Sequence, residues 1–245
     1  MPESTATFCT GLLTALQQRL TARDFLERHR RSAKDFTRER CLPFVVVVVF
    51  LLNLVKRALQ DELDAFFNLE TGAAVAAQVV TKSAFCQARL KLKAEAFVEL
   101  HQVQVAYFYA QGTPPTWYGF RLLAVDGSTL QLPATPAIVA QFGPWGTRPL
   151  ARVSQLFDVL SKVTVEAQLG VITRGEREYA AGHLAQTGPG DLILLDRGYP
   201  AFWLFSLIRV RQADFCARMP GGLWRVVDAF PVTGQREQIK CSPPT

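Results

Sequence analysis

Charge is scarce in this chain: Asp, Glu, Lys and Arg make up 20% of its 245 residues, while 49% are apolar. That balance excludes a disordered polyelectrolyte and leaves enough apolar side chain for a sizeable core. Cysteines number five and histidines three. No cysteine sits in a CxxC pair and the histidines lack zinc-finger spacing, which argues against a structural zinc site. An odd, unpatterned set of thiols fits a reducing cytosol. A long membrane-spanning run is also missing. Residues 42 to 55, LPFVVVVVFLLNLV, are very apolar but fall short of the about 18–20 residues a membrane helix needs, and Asn53 and Lys56 interrupt them. The run lies too far from the start for a signal peptide and reads as a buried core segment, so no membrane partner is expected.

What charge there is leans basic, with a net +6 and a pI near 9.2. Lys and Arg against Asp and Glu count 14 and 11 before Pro114, and 13 and 10 from there on, so each part carries the same excess of +3. The balance favours an anionic partner such as nucleic acid, mildly. It is concentrated in residues 19 to 40, where eight basic side chains meet four acids.

Residues 1–112 read as mostly helical. Leu13, Leu16, Leu20 and Phe25 recur at roughly helical spacing. A long buried helix is expected from about Leu42 to Phe67; its five valines favour a strand, but the flanks FLLNLVKRALQDELDAFF decide for helix. In TKSAFCQARLKLKAEAFVELHQ, Phe85, Ala88 and Leu92 share one helix face, and Lys82, Arg89 and Lys93 another. Such a basic face is either a phosphate-binding surface or an ordinary solvated one. GTPPTWYG, residues 112 to 119, has the Pro and Gly content of a linker.

Beyond it the rhythm changes. FRLLAVD reads as a buried strand and QFGPWGTRP as a loop. ARVSQLFDVL and KVTVEAQLGV read as strands joined by a turn at Ser161 and Lys162. EREYAAGHLAQ follows as a helix, DLILLD as a strand, PAFWLFSLIRVRQ as a helix opened by Pro200, and ADFCARMP as a last strand. The fold expected is α/β: a mixed sheet covered by helices over 113–220, after a helical part over 1–112, with 221–245 opening a β-rich module.

Two of these strands close on a lone acid, Asp126 in FRLLAVDGSTLQLP and Asp196 in GDLILLDRGYP. Ligands gather beyond the carboxyl ends of strands. If the two strands are neighbours the carboxylates converge, and they repel unless a cation sits between them. Mg²⁺ prefers oxygen and often takes only one or two carboxylates plus water and phosphate. Two such ions about 3.5–4 Å apart cleave phosphodiesters. The bland alternative is turn chemistry, since Asp before Gly is common at strand ends.

The ordered stretches VDGSTLQLP, SQLFDVLSKVTVEAQL, GDLILLDRGYPAFWLFSLI and FCARMP resemble the catalytic domain of DDE transposases of the insertion-sequence "four" type. SAKDFTRERCLPF, LQDELDAFF and TKSAFCQARLKLKAEAFVEL resemble the N-terminal region of the same proteins, so the likeness covers about residues 30 to 240. It implies an RNase H-like fold with an Asp-Asp-Glu triad, and a Mg²⁺ (or Mn²⁺) cofactor that serves DNA cleavage and strand transfer. It also implies double-stranded DNA (transposon ends and target) as partner, a homodimer in a synaptic complex, and a place in the bacterial cytoplasm at the nucleoid. Asp126 matches the first triad acid and Asp196 the second. Arg197, Gly198 and Tyr199 complete the second motif, with Arg197 either on DNA phosphate or bracing the strand end. Lys82, Arg89 and Lys93 are the DNA-binding candidates of the helical region.

One departure bears on activity. The third acid of the family lies in a Tyr-x2-Arg-x3-Glu-x6-Lys motif that this sequence does not contain. After Asp196 come only Asp214, Asp228 and Glu237, and Glu237 lies in GQREQIK, which resembles the β-rich insertion before the last catalytic helix. The expectation is a transposase that stops inside that insertion, with the alternative of a non-catalytic DNA-binding remnant or inhibitor of a full-length copy. Asp158 and the lone His183 read as structural. The four tryptophans show no interleaving with basic residues that would support a single-strand stacking platform. Arg28, Arg30, Arg31, Lys34, Arg38 and Arg40 read as a DNA-facing surface in preference to a salt-bridged one.

Overall fold

A computed structural model describes residues 5–37, 41–53, 57–71, 79–144, 146, 148–222 and 224–229. The chain divides into two compact units, Met1–Thr113 and Pro114–Thr245.

The first unit is helical where described. In chain order it holds α1 (Thr5–Thr21), α2 (Arg23–His29), α3 (Phe44–Leu52), α4 (Leu59–Thr71), α5 (Lys82–Arg89) and α6 (Glu95–Gln111). Phe25, Phe44, Val47, Val48, Phe50, Leu63, Phe85, Ala96 and Leu100 form its core. The valine run is helical in α3, where burial of Phe44, Val47, Val48 and Phe50 outweighs strand propensity.

The helices are shorter than the sequence periodicity suggests. Ala22 is extended (φ −66, ψ 134) and separates α1 from α2. The helix expected over 42–67 stops at Leu52 and resumes at Leu59. The third candidate stops at Arg89 because the next residues find better partners elsewhere. Arg31 N–H donates to Lys91 O at 2.9 Å and Lys93 N–H to His29 O at 2.8 Å, around an isolated antiparallel bridge between Arg30 and Leu92. Backbone pairing across the unit satisfies these groups as well as a helix would.

The second unit carries β1 (Arg121–Gln131), α7 (Pro136–Phe142), β2 (Leu150–Asp158), β3 (Val163–Val171), α8 (Glu176–His183), β4 (Asp191–Leu195), α9 (Phe202–Val210), β5 (Asp214–Ala217) and α10 (Arg225–Ala229). Its five strands form one mixed sheet in the order β3-β2-β1-β4-β5. β1 pairs antiparallel with β2, and β2 with β3; β1 pairs parallel with β4, and β4 with β5. Leu123, Val125, Leu156, Ile193 and Leu195 from the strands and Tyr179, Leu204 and Ile208 from the helices are buried. The mixed sheet with flanking helices is the α/β class expected.

Three details differ from the sequence reading. β1 does not end at Asp126 but runs on to Gln131, paired with β2 throughout. Helix α7 runs into the expected loop QFGPWGTRP as far as Phe142, with Thr135 as N-cap and Pro136 in the first turn. In the tail expected to open a β-rich module, the described residues include a helix at Arg225–Ala229 and no strand, and Glu237 lies outside the described residues.

Candidate cation site at the carboxyl edge of the sheet

Register places the two aspartates. β1 and β4 are parallel neighbours, paired Arg121↔Asp191 through Ala124↔Leu194. The pairing is fixed at its start: Asp191, in a buried position, accepts both a 2.7 Å and a 2.8 Å hydrogen bond from the Arg121 guanidinium and one at 2.9 Å from Gly188 N–H. Two residues beyond the last pair stand Asp126, still within β1, and Asp196, one residue past the end of β4. Both are exposed. Asp126 Oδ1 accepts from its neighbour Gly127 N–H at 2.8 Å. Asp196 opens a reverse turn that Tyr199 N–H closes on the Asp196 carbonyl at 3.0 Å, which turns Tyr199 back into the protein.

Two side chains absent from the sequence reading complete the surroundings. Glu176, the first residue of α8, ion-pairs with Arg152 of β2. Its Cγ lies 3.7 Å from where a Cβ on Gly127 would stand, and its Oε2 3.5 Å from the corresponding point on Gly198. The Tyr199 hydroxyl lies 3.6 Å from the Gly127 point. The phenol is pushed up to about 12, by burial first and then by the charges of Glu176, Asp126 and Asp196, with Arg152 opposing. It therefore keeps its proton and can donate throughout the neutral range. Neither Glu176 nor Arg152 had a local signal: an acid opening a helix is ordinary, and the pair joins residues 24 apart.

Two adjacent, exposed carboxylates are a donor set that fits a hard divalent cation completed by water and phosphate. Among the described residues no group of three His, Cys, Asp or Glu side chains is placed to hold one ion. Later acids are engaged elsewhere: Asp214 pairs with Arg209, and Asp228 accepts from Gly222 N–H at 2.7 Å. Arg197 is exposed next to Asp196. Asp158 is structural; its carboxylate accepts from Ser161 N–H and hydroxyl at 3.0 and 2.9 Å, and so closes the β2–β3 turn.

The other cations fall into two classes. Lys82 and Arg89 are exposed on α5, but Lys93 lies past the end of that helix and its ammonium donates to Arg28 O at 2.8 Å. The basic stretch of residues 19–40 is partly salt-bridged, and of the cluster expected to face DNA Arg28 is the member with an ion pair among the described residues. Arg19 and Arg28 pair with Asp24 and Glu99, and Arg23 with Glu27. Arg38 and Arg40 lie outside the described residues, as does Trp145. No described helix is long and apolar enough to cross a membrane.

No protein-family model matches the chain. Transposase InsG of insertion sequence element IS4, from Escherichia coli (strain K12), is 31% identical over 134 residues, which is 52% of this chain and 30% of that protein. The matched stretch thus spans less than a third of the curated relative. In fold, the chain is similar to the piggyBac transposase in a cryo-EM structure of its synaptic complex with hairpin DNA, with a TM-score of 0.50 and 10% identity over 93% of this chain and 54% of that one. The chain is therefore similar in sequence, over 52% of its length, to a transposase of insertion sequence element IS4.

Proposed function

We propose that this chain acts in DNA transposition, binding double-stranded DNA at transposon ends and contributing Asp126 and Asp196 to a Mg²⁺- or Mn²⁺-dependent site for DNA strand cleavage and transfer. The observation that supports the reading is the parallel β1–β4 register, whose last pair, Ala124↔Leu194, stands two residues before each acid. The strand order, with two antiparallel pairings on one side of β1 and two parallel pairings on the other, supports an RNase H-like reading of the fold. Asp126 and Asp196 would hold the cation through their free oxygens. A bound Mg²⁺ or Mn²⁺ supplies Lewis-acid polarisation of a phosphodiester. Arg197, exposed beside Asp196, is suited to a phosphate oxygen of the DNA. Lys82 and Arg89 offer further phosphate contacts from α5, and a homodimer holding two DNA ends belongs to the same reading.

The test is a Mn²⁺ titration of the full chain, followed by the ion's paramagnetic resonance signal, with Asp126→Asn and Asp196→Asn alongside. Both variants should bind Mn²⁺ at least about tenfold more weakly, because one or two carboxylates are the protein's main contribution to such sites. Unchanged affinity in both would remove the site. Nicking of supercoiled plasmid in Mn²⁺, lost in either variant, would add catalysis; salt-sensitive DNA binding without nicking would leave DNA binding alone.

A further inference from the structure

We propose that the Glu176–Arg152 ion pair is a clasp that positions the two aspartate-bearing segments, which makes Glu176 a positioning residue of the cation site and not one of its ligands. The proposal rests on the reading of Asp126 and Asp196 as cation ligands.

Glu176 touches both motifs at once. Its stem lies over Gly127, directly after Asp126, and its carboxylate lies over Gly198, two residues after Asp196. A side chain longer than a methyl at either glycine would meet Glu176. A Cβ at either glycine would thus stand in ordinary van der Waals contact with Glu176, which places the start of α8 beside both segments. The next residue repeats the attachment: Arg177 Nε donates to Gly198 O at 2.9 Å. Arg152 reaches Glu176 from β2, so one ion pair joins β2, the β1 segment, the turn after β4 and the start of α8.

The pair is built as a support. The Arg152 side chain is 18% exposed and that of Glu176 41%. Arg152 Nε is buried with no hydrogen-bond partner among the described residues, a cost that an incidental surface pair has no reason to carry. The far end of α8 is locked independently. Buried His183 meets Glu166 through Nδ1 at 2.8 Å and Ser154 through Nε2 at 3.0 Å. With that end tied to β2 and β3, α8 is attached at both ends, by His183 at one and by Glu176 and Arg177 at the other.

A role in position differs from a role in charge. Glu176→Asp keeps every charge but draws the carboxylate back by about 1.5 Å. Arg152→Gln removes a positive charge beside two carboxylates, which by field alone would tighten cation binding. We expect both variants to weaken Mn²⁺ binding about tenfold or more, as supporting residues around metal sites do, with far-ultraviolet circular dichroism and melting midpoint near those of the parent chain. Unchanged or tighter Mn²⁺ binding in the two folded variants would overturn the clasp. So would loss of folding in both, because the pair would then hold the unit and not the site. Asp126→Asn and Asp196→Asn, titrated in the same series, separate the two readings. If the parent chain's Mn²⁺ binding ignores the aspartates, the underlying site falls; if it depends on them yet ignores Glu176 and Arg152, only the clasp does.

Discussion

At the scale of single residues, packing and charge make two sites decisive. Gly170 on β3 faces the Tyr179 ring of α8. A Cβ there would stand 2.1 Å from the Tyr179 hydroxyl, which donates to Val171 O at 3.0 Å. Tyr179 is almost fully buried and cannot withdraw. Gly170→Ala should therefore destabilise the chain by about 1–3 kcal/mol, read as a lower urea midpoint; a variant as stable as the parent would show that the sheet yields there. Glu99 is the second site. It accepts from His29 Nε2 at 2.7 Å, Arg19 Nε at 2.5 Å and Arg28 at 2.9 Å. Burial works to raise its carboxyl, but the hydrogen bonds from His29 and Arg19 and the Arg19 charge outweigh it and hold the group below the usual carboxylate range. The folded-state value is thus lower than the unfolded one. The stabilisation is complete above the ordinary glutamate value of about 4.3 and is lost as pH falls through the depressed value. Glu99→Gln should lower stability at pH 6 and flatten its decline toward pH 3; parallel declines in parent and variant would assign the acid sensitivity elsewhere.

At the scale of elements, α8 carries the most for its length. His183 is fully buried and bonded to Ser154 and Glu166 on two different strands. The three groups have the connectivity of a nucleophile, a base and an orienting acid, but Ser154 is buried against solvent, so the set serves as a lock. His183→Ala should cost about 2–4 kcal/mol, since it leaves a cavity and unpaired polar groups together. Ser154→Ala should cost about 1 kcal/mol, because it removes one neutral bond; thermal melting of the two variants ranks them. The elements also show how far local pattern reaches. The strands of the sheet were legible because buried strands are short apolar runs closed by turn residues, and Asp126 and Asp196 stand out as candidates because each follows such a run. The helix breaks were not, because the bridge of Arg30 with Leu92 is set by chain segments about 60 residues apart and leaves no mark in the local period. β1 continuing past Asp126 follows from its antiparallel partner β2, again a distant segment. Glu176 and Arg152 were illegible for the same reason, whereas the Thr135–Pro136 start of α7 was a readable signal that the loop composition around it obscured.

At the scale of the whole molecule, the question is where the net +6 is available to an anion. Ion pairing engages part of the basic surface: Arg19, Arg23 and Arg28 face acids, and Arg121, Arg152 and Arg209 are held by Asp191, Glu176 and Asp214. Lys82, Arg89 and Arg197 are exposed and outside those pairs. A chain that binds duplex DNA through a few free cations should show a modest salt slope, near 0.9 for each phosphate neutralised. Lys82→Ala and Arg89→Ala should each weaken binding to a duplex of arbitrary sequence and lower the slope by about 1. Lys93→Ala should do less, since its ammonium is already committed to the Arg28 carbonyl. The measurement is fluorescence anisotropy of a labelled duplex across a salt series. If the triple Lys82, Arg89 and Lys93 change to Ala leaves affinity and slope intact, α5 is a solvated face and DNA contact must come from other parts of the chain. If the slope falls by about 2 with no dependence on duplex sequence, the cations of α5 supply affinity, and recognition of particular transposon ends must be carried by other groups.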